Sequence, residues 1–425
     1  MRHRRLPRLG LRLPGTFPSL KAQPRLQKAL RMLWLDGVFE AISEGFFLNY
    51  LSLHLLDSGG TVQQVGLFNS LGNTANVVAQ IPGARAAEKS GRPKALVLWS
   101  TKGVTRVALL LLALAPFVLK GTTAIYGIML LAALRSLAAS FGTPSHTSLL
   151  GALVPLGIRG QYLSSRQLAM SACTLVVVPL AGQLIQVSGH PTGYQACFIL
   201  ALIAGVASAI SFSKLPESAR SYQPQSHAAR NTLAWNTLRH EASFLRYCFT
   251  AVIWMMGMQI AAPFFAPYMV QELGFAKGTV GLVSTITTLA SLAGMRIFGP
   301  CIDRRGARWV MVMTGLLIPL VPLTWVFVRT PWHAGIIALL AGSTWAGYNL
   351  GSLNLLLAMA PEDNRERYVA LLNTATSAAA ILGPLIGGMV YASFGFRPTL
   401  ILSAMIRYTG ILLFIVLVWE KSARA

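Results

Sequence analysis

The sequence has little charge, and it lacks negative charge most of all. Only 12% of the 425 residues are charged, against about 25% in a typical soluble protein. Thirteen acidic residues stand against 36 basic ones, and 54% of the chain is hydrophobic. These proportions exclude an ordinary soluble domain. The basic excess does not indicate a nucleic-acid partner, because such proteins gather their basic residues on a polar surface, whereas here they interrupt long apolar runs.

Cysteine and nucleotide-binding motifs are also scarce. The four cysteines lie in or beside apolar segments with no CxxC motif and no Cys/His cluster, so we predict neither a disulfide framework nor a metal site. Walker-type and GxGxxG patterns are absent, which argues against ATP as the energy source. No nucleophile–base pattern indicates an enzyme. We therefore expect a protein that is not an enzyme, with no metal and no cofactor.

Long apolar segments fill most of the chain. Each is about twenty residues long, which is the length of an α-helix that crosses a bilayer. We place them at residues 33–56, 64–84, 95–117, 122–144, 164–187, 193–213, 246–270, 279–300, 308–328, 333–358, 369–391 and 397–419. The sequence therefore predicts an all-α membrane protein with twelve transmembrane helices.

The basic residues predict which side of the membrane each loop faces. The first 32 residues hold nine Lys and Arg residues and no acid. Most of the others lie in the loops that follow even-numbered helices. Only four lie in the loops on the opposite side: Lys120, Lys277, Arg329 and Arg397. Because basic loops stay in the cytoplasm, we predict cytoplasmic termini and a location in the plasma (inner) membrane.

The two halves of the chain repeat each other. PLGIRGQY at 155–162 corresponds to PEDNRERY at 361–368, and VPLAG in the fifth helix corresponds to GPLIGG in the eleventh. Duplicated helical units are typical of secondary transporters, which bind substrate between the repeats. The predicted organisation is a basic tail (1–32), a six-helix bundle (33–213), a cytoplasmic linker (214–245), a second six-helix bundle (246–419) and a short cytoplasmic tail (420–425).

The loop after the eighth helix reads GPCIDRRGAR and spans 299–308. Its Gly, Asp, Gly and basic residues resemble the signature loop of the major facilitator superfamily, and ARAAEKSGRPK at 84–94 occupies the equivalent place in the first half. The resemblance implies two pseudo-symmetric six-helix bundles and a gating role for these charges. The gating residues would be Asp303, Arg304 and Arg308 in the second half and Glu88 and Arg92 in the first. The alternative is that they only set topology.

The first helix carries three carboxylates spaced by four residues, Asp36, Glu40 and Glu44, which therefore share one face. A charge in the membrane is costly unless it has a partner or faces a cavity. LRSLAAS places Arg135 in the fourth helix at a similar depth to Glu44, and resembles the drug/proton antiporter branch of the family. We predict a Glu44–Arg135 pair that serves proton coupling, with Glu40 as a second candidate. A permanent structural ion pair is the alternative.

We expect structural roles for other charged residues in the first half of the chain. Lys102 and Arg106 share a face of the third helix, and we expect them to pair with Asp36 or Glu40. Asp36 is expected to lie in the first turn of its helix, close to water. His146, near a helix end, is expected to be interfacial.

Uncharged polar and aromatic residues gather on helices that the family resemblance places around the cavity. Buried amides need partners that a substrate can supply, and aromatic rings can hold a cation or a sugar. Packing between helices is the alternative role. The predicted substrate-binding residues are Asn49, Tyr50, Trp254, Gln259, Trp345, Asn349, Asn354 and Asn373.

Together these features predict a secondary transporter of small organic molecules that works by alternating access. The favoured form is proton-coupled efflux of lipophilic or cationic compounds. Uptake of a sugar or an organic anion is the alternative within transport, favoured if Arg135 and Arg407 bind substrate. A receptor of transporter-like fold or a lipid flippase is the alternative in another class. The expected partners are the substrate, protons and membrane lipids, with no nucleic acid, and the expected state is a monomer.

Overall fold

The structure is a computed structural model that describes residues 24–155, 158–216, 242–360 and 365–418. Most of the predicted basic tail, most of the predicted linker and all of the predicted C-terminal tail lie outside these ranges. The described chain is helical, and it contains no strand.

Twelve helical rods, α1 to α12, follow one another in the described ranges. They span residues 24–57, Val62–Ser90, Pro93–Val118, Thr122–Leu153, Arg159–Ser188, Thr192–Ser213, Ala242–Gln271, Lys277–Arg305, Ala307–Trp325, Pro331–Met359, Arg365–Phe394 and Phe396–Leu417. The first begins at Pro24, ahead of the predicted start at residue 33. Local sequence sets several of the ends: Thr61 and Gln64 form a capping box at the start of α2, and Gly91 takes a left-handed conformation after its end.

Nine of these rods are long and apolar enough to cross a bilayer by length and composition alone. The other three, α1, α2 and α10, carry charged residues or are rich in polar residues and glycine. The helices expose large apolar side chains, among them Phe117, Val187, Phe249 and Leu382. An apolar surface of this kind fits contact with lipid. The protein is a multi-pass integral membrane protein.

The packing repeats in the two halves. In the first half α1 packs on α5 and α6, and α4 packs on α2 and α3. In the second half α7 packs on α11 and α12, and α10 packs on α8 and α9. The halves meet through two corresponding pairs, α2 with α11 and α5 with α8. The chain therefore forms two pseudo-symmetric six-helix bundles, as the sequence repeat predicts.

Local irregularities mark several of the rods. A 3₁₀ turn interrupts α1 at Leu48–Tyr50, and one interrupts α7 at the equivalent Ala262–Phe264. In α7 the turn contains Pro263, which has no N–H to donate. A wider π-type segment, Leu98–Val104, lies in α3 and contains Lys102. Such segments often occur at functional sites.

Candidate functional site

The carboxylate of Glu44 reaches a cavity between the bundles. The cavity has a volume of about 220 Å³, and the Glu44 side chain is 47% exposed. It is formed by α1, α5 and one residue of α8. Its polar lining consists of Glu44, Asn49, Gln167, Ser171, Thr174 and Thr288. Asn49 is thus the predicted binding residue that shares this cavity with Glu44.

Arg135 is the partner of Glu44. Its Nη2 atom lies 3.4 Å from Glu44 Oε1, so the predicted pair is present. The guanidinium is buried and lies over the ring of Phe47, 4.3 Å from the ring centroid. Its Nε has no hydrogen-bond partner among the described residues. A cation that is buried and only partly hydrogen-bonded depends on Glu44 for charge compensation, whereas Glu44 also faces the cavity.

Asp36 and Glu40 lie in a separate charge cluster beneath this pair. Lys102 Nζ is 2.7 Å from Asp36 Oδ1 and 2.9 Å from Glu40 Oε2, and Arg106 Nη2 also contacts Glu40 Oε2. The predicted pairing of Lys102 and Arg106 with these acids is confirmed. The expectation that Asp36 lies close to water is wrong. Because α1 begins at Pro24, Asp36 lies well inside the helix and is 0% exposed.

Three members of this cluster were not predicted. Ser208 in α6 donates to Asp36 Oδ1 at 2.7 Å and lies 3.0 Å from Glu40 Oε2. His146 Nε2 and Arg166 Nη2 lie 3.4 and 3.8 Å from Asp36 Oδ2. His146 is therefore not merely interfacial, as its place near a helix end suggested. A sequence signal existed for Arg166, since it is a charged residue inside the predicted fifth membrane segment, 164–187; Ser208 has no such signal.

The other predicted binding residue of the first bundle, Tyr50, lies outside the cavity. It is 1% exposed, and its hydroxyl donates to the carbonyl of Val178 at 2.8 Å. The hydroxyl also lies beside Gly182 of α5 and Gly281 of α8, where these two helices pack closely. Tyr50 thus belongs to the contact between the bundles.

The predicted residues of the second bundle divide into an aromatic stack and exposed amides. The ring of Tyr348 lies between Trp254 and Trp345, with centroid distances of 4.5 and 5.9 Å. Trp254 is buried and Trp345 is half-buried. Gln259 is also half-buried, whereas Asn349, Asn354 and Asn373 are exposed. The structure does not gather these amides around Glu44.

The predicted gating charges lie at one end of the molecule. Asp303 and Arg304 are exposed in the last turn of α8, and among the described residues neither has an ion-pair partner. Arg308 donates to the carbonyls of Val418 and Ile415 at 2.8 and 2.9 Å. Arg92 is exposed between α2 and α3, and the side chain of Glu88 lies outside the described structure.

The bundles are joined at the opposite end. Asp57 at the end of α1 pairs with Lys277 at the start of α8, and Tyr194 donates to Asp57 at 2.7 Å. Nearer the middle of the two helices, Ser70 and Asn73 of α2 donate to the carbonyls of Ile381 and Ala380 in α11, each at 2.7 Å. We call these contacts the seam. In the predicted topology the seam closes the outer side of the molecule.

The described residues contain no group of three His, Cys, Asp or Glu side chains that would bind a metal ion. What the site offers is one carboxylate accessible from a cavity, a buried counter-charge and a second, enclosed charge cluster.

Comparison with known proteins places the chain in a family. The sequence profile of the Major Facilitator Superfamily matches residues 33–260 and 247–425. The chain belongs to this family of membrane transport proteins, and its fold class is thereby confirmed.

The curated relatives and the solved structures agree with this assignment at low identity. The multidrug resistance proteins MdtG of Serratia proteamaculans and Enterobacter lignolyticus are 29% and 26% identical to the chain over 163 and 162 residues. Each alignment covers 37% of this chain and spans less than two fifths, 39% and 38%, of the relative. The nucleoside transporter NupG has a TM-score of 0.69 at 14% identity, covering 92% of this chain and 98% of NupG. A D-xylose–proton symporter has a TM-score of 0.69 at 13% identity, covering 94% of this chain and 98% of the symporter.

Proposed function

We propose that this protein is a proton-coupled secondary transporter that exports lipophilic or cationic compounds across the plasma membrane by alternating access. The observation that carries the proposal is the exposure of Glu44. Its side chain is 47% exposed to the space between the bundles, against 1% for Asp36 and 20% for Glu40. Glu44 is thus the carboxylate of α1 that a substrate and a proton can both reach.

The chemistry follows from competition for one carboxylate. Ionised Glu44 can pair with Arg135 and hold the positive end of a substrate; protonated Glu44 can do neither. A proton entering from the outer side would then release a bound cation, and loss of that proton to the cytoplasm would restore the site. Coupling requires only that a bound proton and a bound substrate cation exclude each other at Glu44.

Three other polar residues of the cavity, Asn49, Gln167 and Ser171, would orient the substrate by hydrogen bonds. The half-buried ring of Trp345, at the end of the stack with Tyr348 and Trp254, offers an aromatic surface for a lipophilic or cationic group. When the bundles rock together, a gate would form at the end opposite the seam. Its residues would be Asp303, Arg304, Arg308, Arg92 and Glu88.

The multidrug resistance relatives support efflux, although they align with only part of the chain. Uptake of an anion would need accessible basic residues. Arg135 is 7% and Arg407 2% exposed, and Arg407 donates from Nε to the Gly257 carbonyl at 3.3 Å. Both arginines are therefore poorly placed to meet an anionic substrate, which favours the cation.

A thermal-shift screen of the purified protein tests this proposal. Tetraphenylphosphonium, sugars, carboxylates and lysolipids would each be added to the wild type, to Glu44→Gln and to Glu272→Gln. The last is a matched control, because Glu272 is exposed just beyond α7. A ligand at a hundred times its Kd stabilises a protein by about 2.7 kcal/mol.

We expect the cation to stabilise the wild type and Glu272→Gln but not Glu44→Gln. Stabilisation by sugars or carboxylates instead, lost in Arg135→Ala, would replace efflux by uptake. Stabilisation by lysolipids alone would point to a flippase. Counterflow of the stabilising ligand in liposomes separates a transporter from a receptor, since a receptor binds its ligand without moving it.

A further inference from the structure

The charge cluster beneath Glu44 forms a connected hydrogen-bonded chain with two partly exposed ends. Its members are Glu40, Ser208, Asp36 and His146, in that order. The Glu40 side chain is 20% exposed and the His146 side chain 23%, whereas Asp36 and Ser208 between them are fully buried. A buried polar chain that emerges at both ends is the arrangement that proton transfer through a protein interior requires.

The hydroxyl of Ser208 is the connecting group. It accepts a hydrogen bond from Lys102 Nζ at 2.7 Å and has one proton of its own. That proton faces two carboxylate acceptors, Asp36 Oδ1 at 2.7 Å and Glu40 Oε2 at 3.0 Å. Lys102 uses its three N–H groups on the same three partners, so it fixes their positions without leaving a donor free.

We propose that Glu40, Ser208, Asp36 and His146 form a proton wire through the first bundle, which links Glu44 to the cytoplasmic side without using the substrate cavity. This inference rests on the proposed proton coupling and adds a route to it. Glu40 lies one helical turn from Glu44 on the same face of α1. At the other end, His146 lies about two turns from the end of α4 on the predicted cytoplasmic side.

The transfer balances without any further reactant. A proton on Glu40 Oε2 passes to Ser208 Oγ while the hydroxyl proton of Ser208 passes to Asp36 Oδ1. Rotation about the Cβ–Cγ bond of Asp36 brings the proton toward the unprotonated Nε2 atom of His146, which accepts it while the proton on Nδ1 leaves to water. Asp36, the Ser208 hydroxyl and the His146 ring then rotate back, which restores the initial state.

The surrounding charges keep the wire in place. Lys102 of α3 contacts both acids, Arg106 of α3 contacts Glu40, and Arg166 of α5 lies 3.8 Å from Asp36. The ring of His146 stacks on Phe212 of α6, with centroids 5.6 Å apart. These cations compensate the two carboxylates, so loss of Ser208 alone removes a connection without leaving a charge unpaired.

Proteoliposomes containing the full chain and a pH-sensitive dye test the wire. Tetraphenylphosphonium added on one side drives proton movement, and labelled tetraphenylphosphonium measures counterflow in the absence of a proton gradient. The variants are Ser208→Ala, which removes the bridging hydroxyl, and Ser208→Thr, which retains it. Ser43→Ala is the control, because Ser43 is equally buried on α1 but donates only to the Ala201 carbonyl.

We expect Ser208→Ala to slow substrate-driven proton movement by about tenfold or more while counterflow continues. Ser208→Thr and Ser43→Ala should behave as the wild type. Wild-type proton movement in Ser208→Ala would overturn the wire and leave the transporter proposal standing. Absence of proton movement in the wild type would refute the proton coupling itself. If Ser208→Ala does not fold, His146→Phe decides the question, because it preserves the stack on Phe212 and removes Nε2.

Discussion

Three carboxylates of identical spacing on one helix have three different environments, and depth and neighbours account for the difference. Asp36 is enclosed by Lys102, Ser208, His146 and Arg166, whereas Glu44 faces the cavity with one arginine beside it. Glu40 lies between these extremes. Donors surround Asp36 on all sides, whereas Glu44 keeps an open side toward the cavity, and an open side is what exchange with a substrate requires.

Lys102 should be essential for stability because it compensates two acids at once. It is 3% exposed, and removing one partner of a buried ion pair leaves the other charge uncompensated. We predict that Lys102→Met lowers the free energy of unfolding by about 3 kcal/mol or more, measured by thermal unfolding in detergent. Lys89→Met, at the exposed end of α2, is the control and should unfold near the wild-type temperature. An unchanged unfolding temperature in Lys102→Met would refute the enclosed cluster.

The sequence predicts the charge pairs but not the membership of the network. Periodicity along α1 and the i, i+4 spacing in α3 are local, so the pairing of Lys102 and Arg106 with acids follows from them. Ser208 and His146 join through contacts between distant helices, and the buried position of Asp36 depends on where α1 begins. None of these is encoded in a short stretch of sequence.

At the level of the helices, close packing depends on glycine at a few points. A Cβ atom on Gly83 of α2 would overlap the carbonyl of Phe141 in α4, whereas one on Gly151 of α4 would meet nothing within 4 Å. The backbones of α2 and α4 therefore approach each other at Gly83, as helices often do in membranes.

This contrast makes a prediction about two equivalent substitutions. Gly83→Ala should lower the free energy of unfolding by about 1–3 kcal/mol because α2 and α4 must move apart. Gly151→Ala should leave it unchanged or raise it by up to about 1 kcal/mol, because alanine favours the helix. Thermal unfolding of both variants measures the difference. Equal unfolding temperatures would show that α2 and α4 do not pack closely at Gly83.

The helix count and the repeat were accessible from sequence because apolar length and duplicated motifs are strong signals. The breaks within helices and the contacts of individual side chains were less accessible from the sequence. The 3₁₀ turn at Leu48–Tyr50 directs Tyr50 into the contact between the bundles, where its hydroxyl donates to the Val178 carbonyl, although its polarity had suggested substrate binding. The amides of α10 and α11 were predicted to bind substrate, but they are exposed and do not line the cavity at Glu44. The sequence shows which residues share a helix face, but it does not show which surface of the bundle that face meets.

For the molecule as a whole, the seam determines which side is closed. Its ion pair, Asp57 with Lys277, joins the two bundles, and the Lys277 amide also donates to Gln186 Oε1 at 2.9 Å. At the other end, Asp303 and Arg304 form no ion pair with any residue that the structure describes. The structure therefore corresponds to a state closed at the seam, which is inward-facing in the predicted topology.

Loss of the seam pair should expose the cavity from the outside. In a chain whose native cysteines are replaced, Thr174→Cys places a thiol in the cavity lining. We predict that adding Asp57→Asn increases its labelling by a membrane-impermeant thiol reagent applied to intact cells. Glu272→Gln, which removes another carboxylate at the predicted outer side, should leave labelling unchanged. Equal labelling with and without Asp57→Asn would show that the ion pair does not hold the bundles closed.

The central claim is that Glu44 exchanges a proton for a cation. The most direct measurement is simultaneous proton and tetraphenylphosphonium flux in proteoliposomes, with the wild type, Glu44→Gln and the control Glu272→Gln. The account predicts opposed fluxes in the wild type and in Glu272→Gln, and neither flux under a proton gradient in Glu44→Gln. Normal proton-driven cation export by Glu44→Gln would contradict it.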